Sequence, residues 1–596
     1  MESNLVDIIL KDVCYKRNGC AFLEKVSTTF YAKRMSLIVS TEHDSCDTLF
    51  RILAGIKKQD SGTVSFRPLD AQFCDINIGF VSNEYLFHDT LSPYELMIFY
   101  TNLYLSGDME YQERSIFVNY WITKLHIQEP YKHSSIIRNL SSMDKMLLMI
   151  GIELVKNPSI LLAEKPLRNL NSYCAKYLLN TLRSLSEENK NVIVELDYVP
   201  NQFLQLFDDI SFLSKGEIIY TGKVSSLVYY MEYIGYEIDA SYDVIEYIAL
   251  LNDNPHVHMF FNETWESEIQ QQNRYSFQRP LLTYQQIPDN SVYKRSKLNC
   301  FSQMKYLLIR EIKHFIRSEK QNIFHFGLIL LFNLITGLVF QNVSLFQSNT
   351  SIENWIYIRF TALMFCIFFN IILYSFPCIV TFSFEQRIVQ KEMVFYSAWV
   401  YVITKTITDI WKHILFACIT VGINVGLLQF YGNFVYFIFE YTLLGLVFTT
   451  LSMLFSLFSI EISSSLYAIY MFFQVYFTGL LVPITATLFY SHFLYYICFM
   501  NYGISVIATE EFTAIPPNFP KHKLDSYYES VFGCIYSNSS NYVCDTISNK
   551  YAIFPYNNIQ VDNKWIYMII LSAIFVFLRV CLCLALYIKK SYYSDI

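Results

Sequence analysis

The stretch "SLIVSTEHDSCDTLFRILAGI", residues 36–56, joins a strand to a helix through a short polar turn. Its first part is a compact apolar and β-branched run, and "TLFRILAGI" has the apolar spacing of a helix. A turn of this kind directs the first N–H groups of the helix at whatever lies in front of it. It has the frame of a phosphate-binding loop without the glycines and the lysine of one. The stretch therefore predicts an α/β domain with an unusual site.

Further strands alternate with helical segments up to about residue 235. The apolar runs "SILLA" and "NVIVEL" each follow a helical pattern, and "DISFLSKGEIIYTG" reads as two strands joined by a turn. This alternation predicts a mostly parallel sheet, with ligands at the carboxyl ends of its strands.

The composition excludes an ordinary soluble protein. Of the 596 residues, 53% are hydrophobic and only 16% are charged, so part of the chain is expected in lipid. The net charge is −7 and no basic stripe is present, so we expect no nucleic acid partner.

Uncharged runs of about 20 residues, the length that crosses a bilayer, dominate the second half. They predict six spans, at about 322–343, 356–383, 411–431, 433–458, 462–482 and 565–588. The predicted organisation is a domain at 1–235, a linker at 236–300, an amphipathic connecting helix at 301–321 and a transmembrane domain at 322–596.

Lys and Arg in the short loops place both termini in the cytosol, and "MESNLVDIILKDVCYK" has no apolar signal sequence. Residues 483–564 are then external, beginning with an apolar re-entrant segment. Cys534 and Cys544 flank a glycosylation sequon at Asn538, and a disulfide between them suits an oxidising compartment. The interpretation is a multi-pass protein of the plasma membrane or an organelle membrane.

Several long sequence segments, which occur in a fixed order along the chain, resemble those of a known protein family. They include "FRILAG", "IGFVSNEYLFHDTLS", "GIELVKNPSILL", "FSFEQRIVQKEMVFYSAWVYVITK" and "NYGISVIATEEF". With them the chain resembles an ABC transporter half-molecule of the G (White) subfamily, in which a nucleotide-binding domain precedes six transmembrane helices. The resemblance implies ATP and magnesium as cofactors, an obligate homodimer or heterodimer, and export of lipid-like or other amphipathic small molecules.

The resemblance also fixes where the nucleotide-site positions fall. The phosphate-loop glycines align with Ser40, His43 and Ser45, its lysine with Cys46, and its magnesium hydroxyl with Asp47. The magnesium-sensing glutamine aligns with Asn83, the signature serine with Ser141, and the magnesium-binding aspartate with Glu164. The general base aligns with Lys165, the switch histidine with Asp197 and the D-loop aspartate with Asn171. Family magnesium positions are thus Asp47, Asn83 and Glu164.

These substitutions predict that the chain alone does not hydrolyse ATP, and they leave open whether any nucleotide still binds. A carboxylate about 4 Å from a phosphate repels it by about 4 kcal/mol at an effective dielectric near 20, and Lys165 cannot accept a proton at neutral pH. Whether the chain is an enzyme stays open, because Glu164 or Asp197 offers an alternative base. Tyr15, if it stacks on adenine, would allow weak binding, but packing of a strand tyrosine in a Tyr-rich chain is the favoured interpretation.

Three hypotheses follow: a transport subunit whose partner supplies ATP turnover, a non-hydrolysing scaffold, receptor or regulatory subunit, and a hydrolase with altered residues. We also predict that Lys165 pairs with Asp47, Asp197 or Glu164. Arg579, inside the sixth span, is a candidate functional charge or a partner of a neighbouring helix.

Overall fold

The fold was determined from a computed structural model of the full chain. The structure describes these residues: 5–17, 20–40, 43–68, 77–105, 109–127, 136–233, 235–236, 243–252, 298–340, 352–393, 395–478, 492–514 and 563–595. They divide into two compact units near Tyr306. The predicted linker lies mostly outside the described residues, as do Cys534, Asn538 and Cys544.

Two sheets form the first unit. A three-stranded antiparallel sheet, in the order β2-β1-β4, contains β1 (Val6–Arg17), β2 (Cys20–Phe30) and β4 (Ser61–Pro68). A six-stranded sheet has the order β5-β6-β7-β3-β8-β9. Its members are β3 (Met35–Ser40), β5 (Ile78–Val81), β6 (Ile160–Glu164), β7 (Asn191–Leu196), β8 (Asp209–Ser214) and β9 (Glu217–Lys223).

The second sheet is parallel except for its last pair. β5, β6, β7, β3 and β8 pair in parallel, and β8 pairs with β9 antiparallel. β7 is buried along its whole length and β3 up to its last residue, because helices cover both faces of the sheet. In this register Glu164 lies beside Glu195, and Val39 lies beside Leu196. The carboxyl ends of β3, β6 and β7 therefore meet at one edge.

Eight helices in the described part of the first unit follow or cover these strands. They are α1 (His43–Leu53), α2 (Pro93–Leu105), α3 (Tyr111–Lys124), α4 (Ser142–Leu154), α5 (Ser172–Glu187), α6 (Asn201–Leu204), α7 (Val224–Tyr233) and α8 (Val244–Asn252). α1 begins directly after β3, so the predicted strand–turn–helix is present.

The second unit is helical. Its helices are α9 (Cys300–Arg317), which begins at the unit boundary, α10 (Glu319–Val339), α11 (Ile352–Glu392), α12 (Ala398–Leu428), α13 (Phe434–Phe455), α14 (Ile460–Phe477), α15 (His492–Ile497), α16 (Phe499–Thr513) and α17 (Lys564–Asp595). Five helices in the described residues are long and apolar enough to cross a membrane. The predicted fold class, an α/β domain followed by a helical transmembrane domain, is confirmed.

Helix bounds differ from the predicted spans where charged residues continue a helix. α11 extends to Glu392, although the sequence predicts a charged segment after residue 383, and α12 begins at Ala398, thirteen residues before the predicted third span. Ion pairs make these extensions favourable, since Glu385 pairs with Lys405 at 2.8 Å and the buried Glu392 pairs with Arg310. α14 matches the predicted fifth span up to Phe477, and residues 479–482 of that span lie outside the described residues. Glu461, three serines and Gln474 lower the hydropathy of α14, and it is not among the five.

Candidate nucleotide site

Asp47 and Glu164 meet where α1 faces the end of β6. Their carboxyl groups lie close enough for the charge of Asp47 and a hydrogen bond to it to act on Glu164. Burial, followed by the charge of Asp47, raises the pKa of Glu164 to about 7. Arg51 donates to Asp47 from one turn along α1, with 3.1 Å between Nε and Oδ1. The backbone N–H of Asn83 donates to Glu164 at 3.4 Å. The three predicted magnesium positions are therefore close together.

Lys165 lies immediately after β6 and turns toward β7. Its Nζ is 2.9 Å from Asp197 and 3.7 Å from Glu195. Its backbone has φ of 44°, in the left-handed region, and its N–H donates to the Glu195 carbonyl at 3.1 Å. Burial lowers the pKa of Lys165, but the hydrogen bond to Asp197 and the charge of Glu195 outweigh burial, and the net change is upward. The predicted pairing of Lys165 is confirmed, with Asp197 as its partner.

Glu195 lies under this pair inside an otherwise apolar strand. It is 1% exposed, and its Oε2 has no hydrogen-bond partner. Burial raises its pKa to about 8, even though Lys165 acts in the opposite direction. At neutral pH Glu195 is therefore mostly protonated, and this part of the site is less negative than its carboxylates suggest.

Cys46 occupies the phosphate-loop lysine position and is fully buried in α1. Burial, followed by the charge of Glu195 and a hydrogen bond to it, raises the pKa of the thiol well above its ordinary value. The side chain is thus a neutral packing group facing the sheet. Ser45 beside it is also buried, and Ser40 is half-buried at the end of β3.

The signature serine is engaged within its own helix. Ser141 is the N-cap of α4: its hydroxyl accepts from the Asp144 N–H at 3.1 Å and donates to the Asp144 carboxylate at 2.7 Å. Asn171 is likewise the N-cap of α5 and accepts from the Cys174 N–H at 2.8 Å. Each side chain satisfies a helix terminus that otherwise lacks partners.

Tyr15 is 9% exposed and faces protein groups. The ammonium of Lys57 lies 5.3 Å from its ring centroid, and the Phe22 ring lies 6.4 Å away. These contacts favour packing over adenine stacking.

Comparisons with known proteins agree with this architecture. Residues 302–512 match the family model described as ABC-2 type transporter. Protein white of Drosophila melanogaster is 24% identical over 205 residues, which are 33% of this chain and 30% of that protein. The broad substrate specificity ATP-binding cassette transporter ABCG2 of Sus scrofa is 21% identical, over 75% of this chain and 73% of that protein.

The chain is therefore similar to ABC transporters of the White, or G, subfamily. Among solved structures, the dimeric bacterial ABC transporter cassette MJ0796 has a TM-score of 0.32 and 22% identity, over 36% of this chain and 98% of that one. The match to Protein white spans under a third of that relative's length.

The family implies nucleotide and magnesium, and the residues of this chain do not fit them. The lysine position holds the neutral, buried Cys46, and Lys165 is committed to Asp197. Burial and the charge of Asp47 raise the pKa of Glu164 to about 7, so near neutral pH a proton competes with a metal ion for its oxygens. The described residues contain no group of three or more His, Cys, Asp or Glu side chains arranged for a metal.

Two site residues were missed by reasoning from the sequence, Glu195 and Arg51. Glu195 is the single carboxylate in the buried run "NVIVEL", and a charge inside a central strand is itself a signal. Arg51 lies four residues after Asp47 on a helix, which is the spacing of an ion pair.

Charged residues of the membrane unit are also paired. Arg579 donates to Asp409 of α12 at 2.7 Å, and both side chains are at least nine-tenths buried. Arg579 therefore joins two membrane helices, which was one of the two interpretations of the sequence.

Proposed function

We propose that this chain is a subunit of a White-type transporter that does not hydrolyse ATP by itself. It would assemble as a homodimer or, for turnover, as a heterodimer with an active half-transporter, and it would take part in export of lipid-like or other amphipathic molecules. Both termini would lie in the cytosol.

The ion pair between Lys165 and Asp197 carries the proposal. By family resemblance these are the positions of the general base and the switch histidine. A lysine held as an ammonium beside a carboxylate cannot take a proton from water. Asp197 in turn is occupied as its counter-ion, so neither position offers a free base.

The positions that would contact phosphate support the same proposal. Cys46 has no positive charge, and the Ser141 hydroxyl donates its hydrogen bond to the Asp144 carboxylate. In the family, one subunit's phosphate loop and the partner's signature form a composite site. This chain is altered in both, so a heterodimer would be weakened at both of its sites.

The first test measures nucleotide binding and hydrolysis by the purified full chain in lipid. A fluorescent ATP analogue should bind weakly and show no increase when magnesium is added. ATPase rates of the wild type, Glu164→Gln and Asp197→Asn should be equal and at background, since neither carboxyl acts as a base. Tight magnesium-dependent binding, or a rate above background that Glu164→Gln abolishes, would contradict the proposal.

The second test separates a transport subunit from a scaffold or regulator. Vesicles containing the chain with each candidate active half-transporter should take up an amphipathic probe with ATP, faster than vesicles containing either chain alone. Equal uptake with and without this chain would favour the scaffold.

A further inference from the structure

Glu440 is a buried carboxyl group within a membrane helix. It lies on α13, the candidate span with the largest buried share, 72%, and its side chain is 0% exposed. Neither carboxyl oxygen has a hydrogen-bond partner. An ionised carboxylate is very unfavourable in such surroundings, and unpaired polar groups in membrane helices are typical of ligand sites.

The surroundings of Glu440 follow from its neighbours on the same helix face. One turn earlier, the Tyr436 ring has the ammonium of Lys564 above it, 3.8 Å from the centroid. One turn later, Leu444 touches Gly503 of α16 so closely that an added Cβ would lie 2.4 Å from its Cδ1. Residues four apart share a helix face. Glu440 therefore lies about one helical turn, roughly 6 Å, from the level of Lys564.

Lys564 is held at the first turn of α17 by several groups. Its ammonium pairs with Glu510 of α16 and also lies 5.5 Å from the Trp565 ring centroid. Within the described residues, Lys564 is the charged group whose field reaches Glu440. A lysine has a flexible four-carbon stem, so one ammonium can serve either carboxylate. Lys564 can thus pair with either of two carboxyl groups, that of Glu510 or that of Glu440.

Other titratable groups on the helices packed around α13 have partners of their own or lie further along. Arg359 pairs with Glu511, Asp409 with Arg579, and the Tyr467 hydroxyl with Ser375. His413 and Tyr374 contact the helix at Gly445, more than a turn beyond Glu440. Two further ones are Tyr441, which packs in the core, and Tyr470, which contacts Phe448. None of these groups hydrogen-bonds to Glu440.

The absence of further ligands decides between a metal ion and a proton. Sodium, calcium or magnesium needs several oxygen ligands at one point. The described residues contain no group of three acidic, His or Cys side chains that could hold a metal. A proton needs a single oxygen.

We infer that Glu440 is a proton-binding site of the membrane domain, with Lys564 paired to Glu510 when Glu440 carries the proton and to Glu440 when the proton leaves. Proton release then draws the beginning of α17 toward α13. The position of the last membrane helix is thereby coupled to a proton, independently of what happens to ATP.

The first test uses dicyclohexylcarbodiimide, an apolar reagent for protonated carboxyl groups. The carboxyl O–H adds across one C=N bond: the proton goes to nitrogen and the carboxyl oxygen bonds to carbon. An acyl shift from oxygen to nitrogen then gives a stable acylurea without a leaving group.

The full chain in liposomes, treated between pH 5 and 9 and mapped by peptide mass, should carry the adduct on Glu440. Labelling should decrease as the pH rises and be absent in Glu440→Gln. No Glu440 adduct at any pH would overturn the proposal.

Two matched variants test the exchange of Lys564. Lys564→Met removes the countercharge of the ionised form, so the pH of half-labelling should rise by about one to two units. Glu510→Gln releases Lys564 toward Glu440, so that pH should fall, while Lys564→Arg should behave like the wild type. Midpoints that do not move, or that move in the same direction in Lys564→Met and Glu510→Gln, would overturn the exchange.

Discussion

The α/β site and the membrane unit bury charge in different ways. At the site, two cations face four carboxyl groups: Arg51 and Lys165 against Asp47, Glu164, Glu195 and Asp197. In the described part of the membrane unit, three buried ion pairs are Arg310–Glu392, Arg359–Glu511 and Arg579–Asp409. The site relieves its excess of carboxylates by keeping protons, whereas the membrane pairs neutralise each other directly. The first arrangement should therefore respond to pH.

The largest effect is expected where a buried membrane pair is broken. Arg359 and Glu511 are 1% and 0% exposed, and Glu511 also accepts the Gly432 N–H at 3.0 Å. Arg359→Met leaves an unpaired buried carboxylate, which should cost about 3–5 kcal/mol of stability. Thermal unfolding of the full chain in detergent should show a large loss, and the double variant Arg359→Met/Glu511→Gln should recover much of it. A single variant within 1 kcal/mol of the wild type would show that the pair is not structural.

The pH dependence of the α/β domain should come next. The unfolded chain ionises Glu195 from about pH 4.3 upward, while the folded chain keeps the proton until about pH 8. Stability is therefore complete below the unfolded pKa and is lost as the pH rises to the folded pKa. By linkage the Glu195 shift alone corresponds to about 4 kcal/mol between pH 5 and 8, so the free energy of unfolding and Tm should both fall over this range, with Glu164 acting in the same direction.

Glu195→Gln is the matched control for that dependence, because glutamine resembles the protonated acid. The variant should lose most of the pH slope of Tm while Tm at pH 5 stays near that of the wild type. An unchanged slope in Glu195→Gln would assign the dependence to other groups.

A smaller loss is expected from Lys165→Met. Asp197 is 48% exposed and is hydrated once unpaired, so the lost interaction is worth about 1.5 kcal/mol after screening. Thermal unfolding at low and high salt measures it. Arg138→Ala is the control. The Arg138–Asp89 ion pair also has a carboxylate that is about half exposed, but the Arg138 side chain is 55% exposed, so this pair is a surface pair. A loss in Arg138→Ala as large as that in Lys165→Met would mean that the Lys165 pair has no special role.

Patterns that depend on neighbouring residues were predictable from the sequence. The apolar strand 35–40 followed by a helix, the parallel sheet and most of the membrane spans are local periodicities of that kind. The pairing of Lys165 was predictable because an excess of carboxylates in a fixed frame attracts the new cation.

Features that depend on distant pairs were not predictable in the same way. The sequence left three possible partners for Lys165: Asp47, Asp197 and Glu164. The strand register pairs Glu164 with Glu195, and Asp197, which follows β7, then lies nearest to Lys165. The continuation of α11 to Glu392 depends on Arg310, 82 residues away. From the sequence alone, a charged segment after a membrane span is predicted to be a loop. It can continue as a helix when another helix supplies the opposite charges, and those partners are not evident from the sequence.

The smallest effect tests whether Ser141 has a role beyond its helix. Because it caps α4 through Asp144, Ser141→Ala should cost about 1 kcal/mol, or roughly 2–4 °C in Tm. Ser141→Asn, which caps equally well, should restore Tm. If the hydroxyl serves only as a cap, both variants should leave ATP-dependent uptake with an active partner unchanged. Normal stability in Ser141→Asn together with lost uptake would mean that the hydroxyl still contacts nucleotide, and the site would then be less altered than its charges indicate.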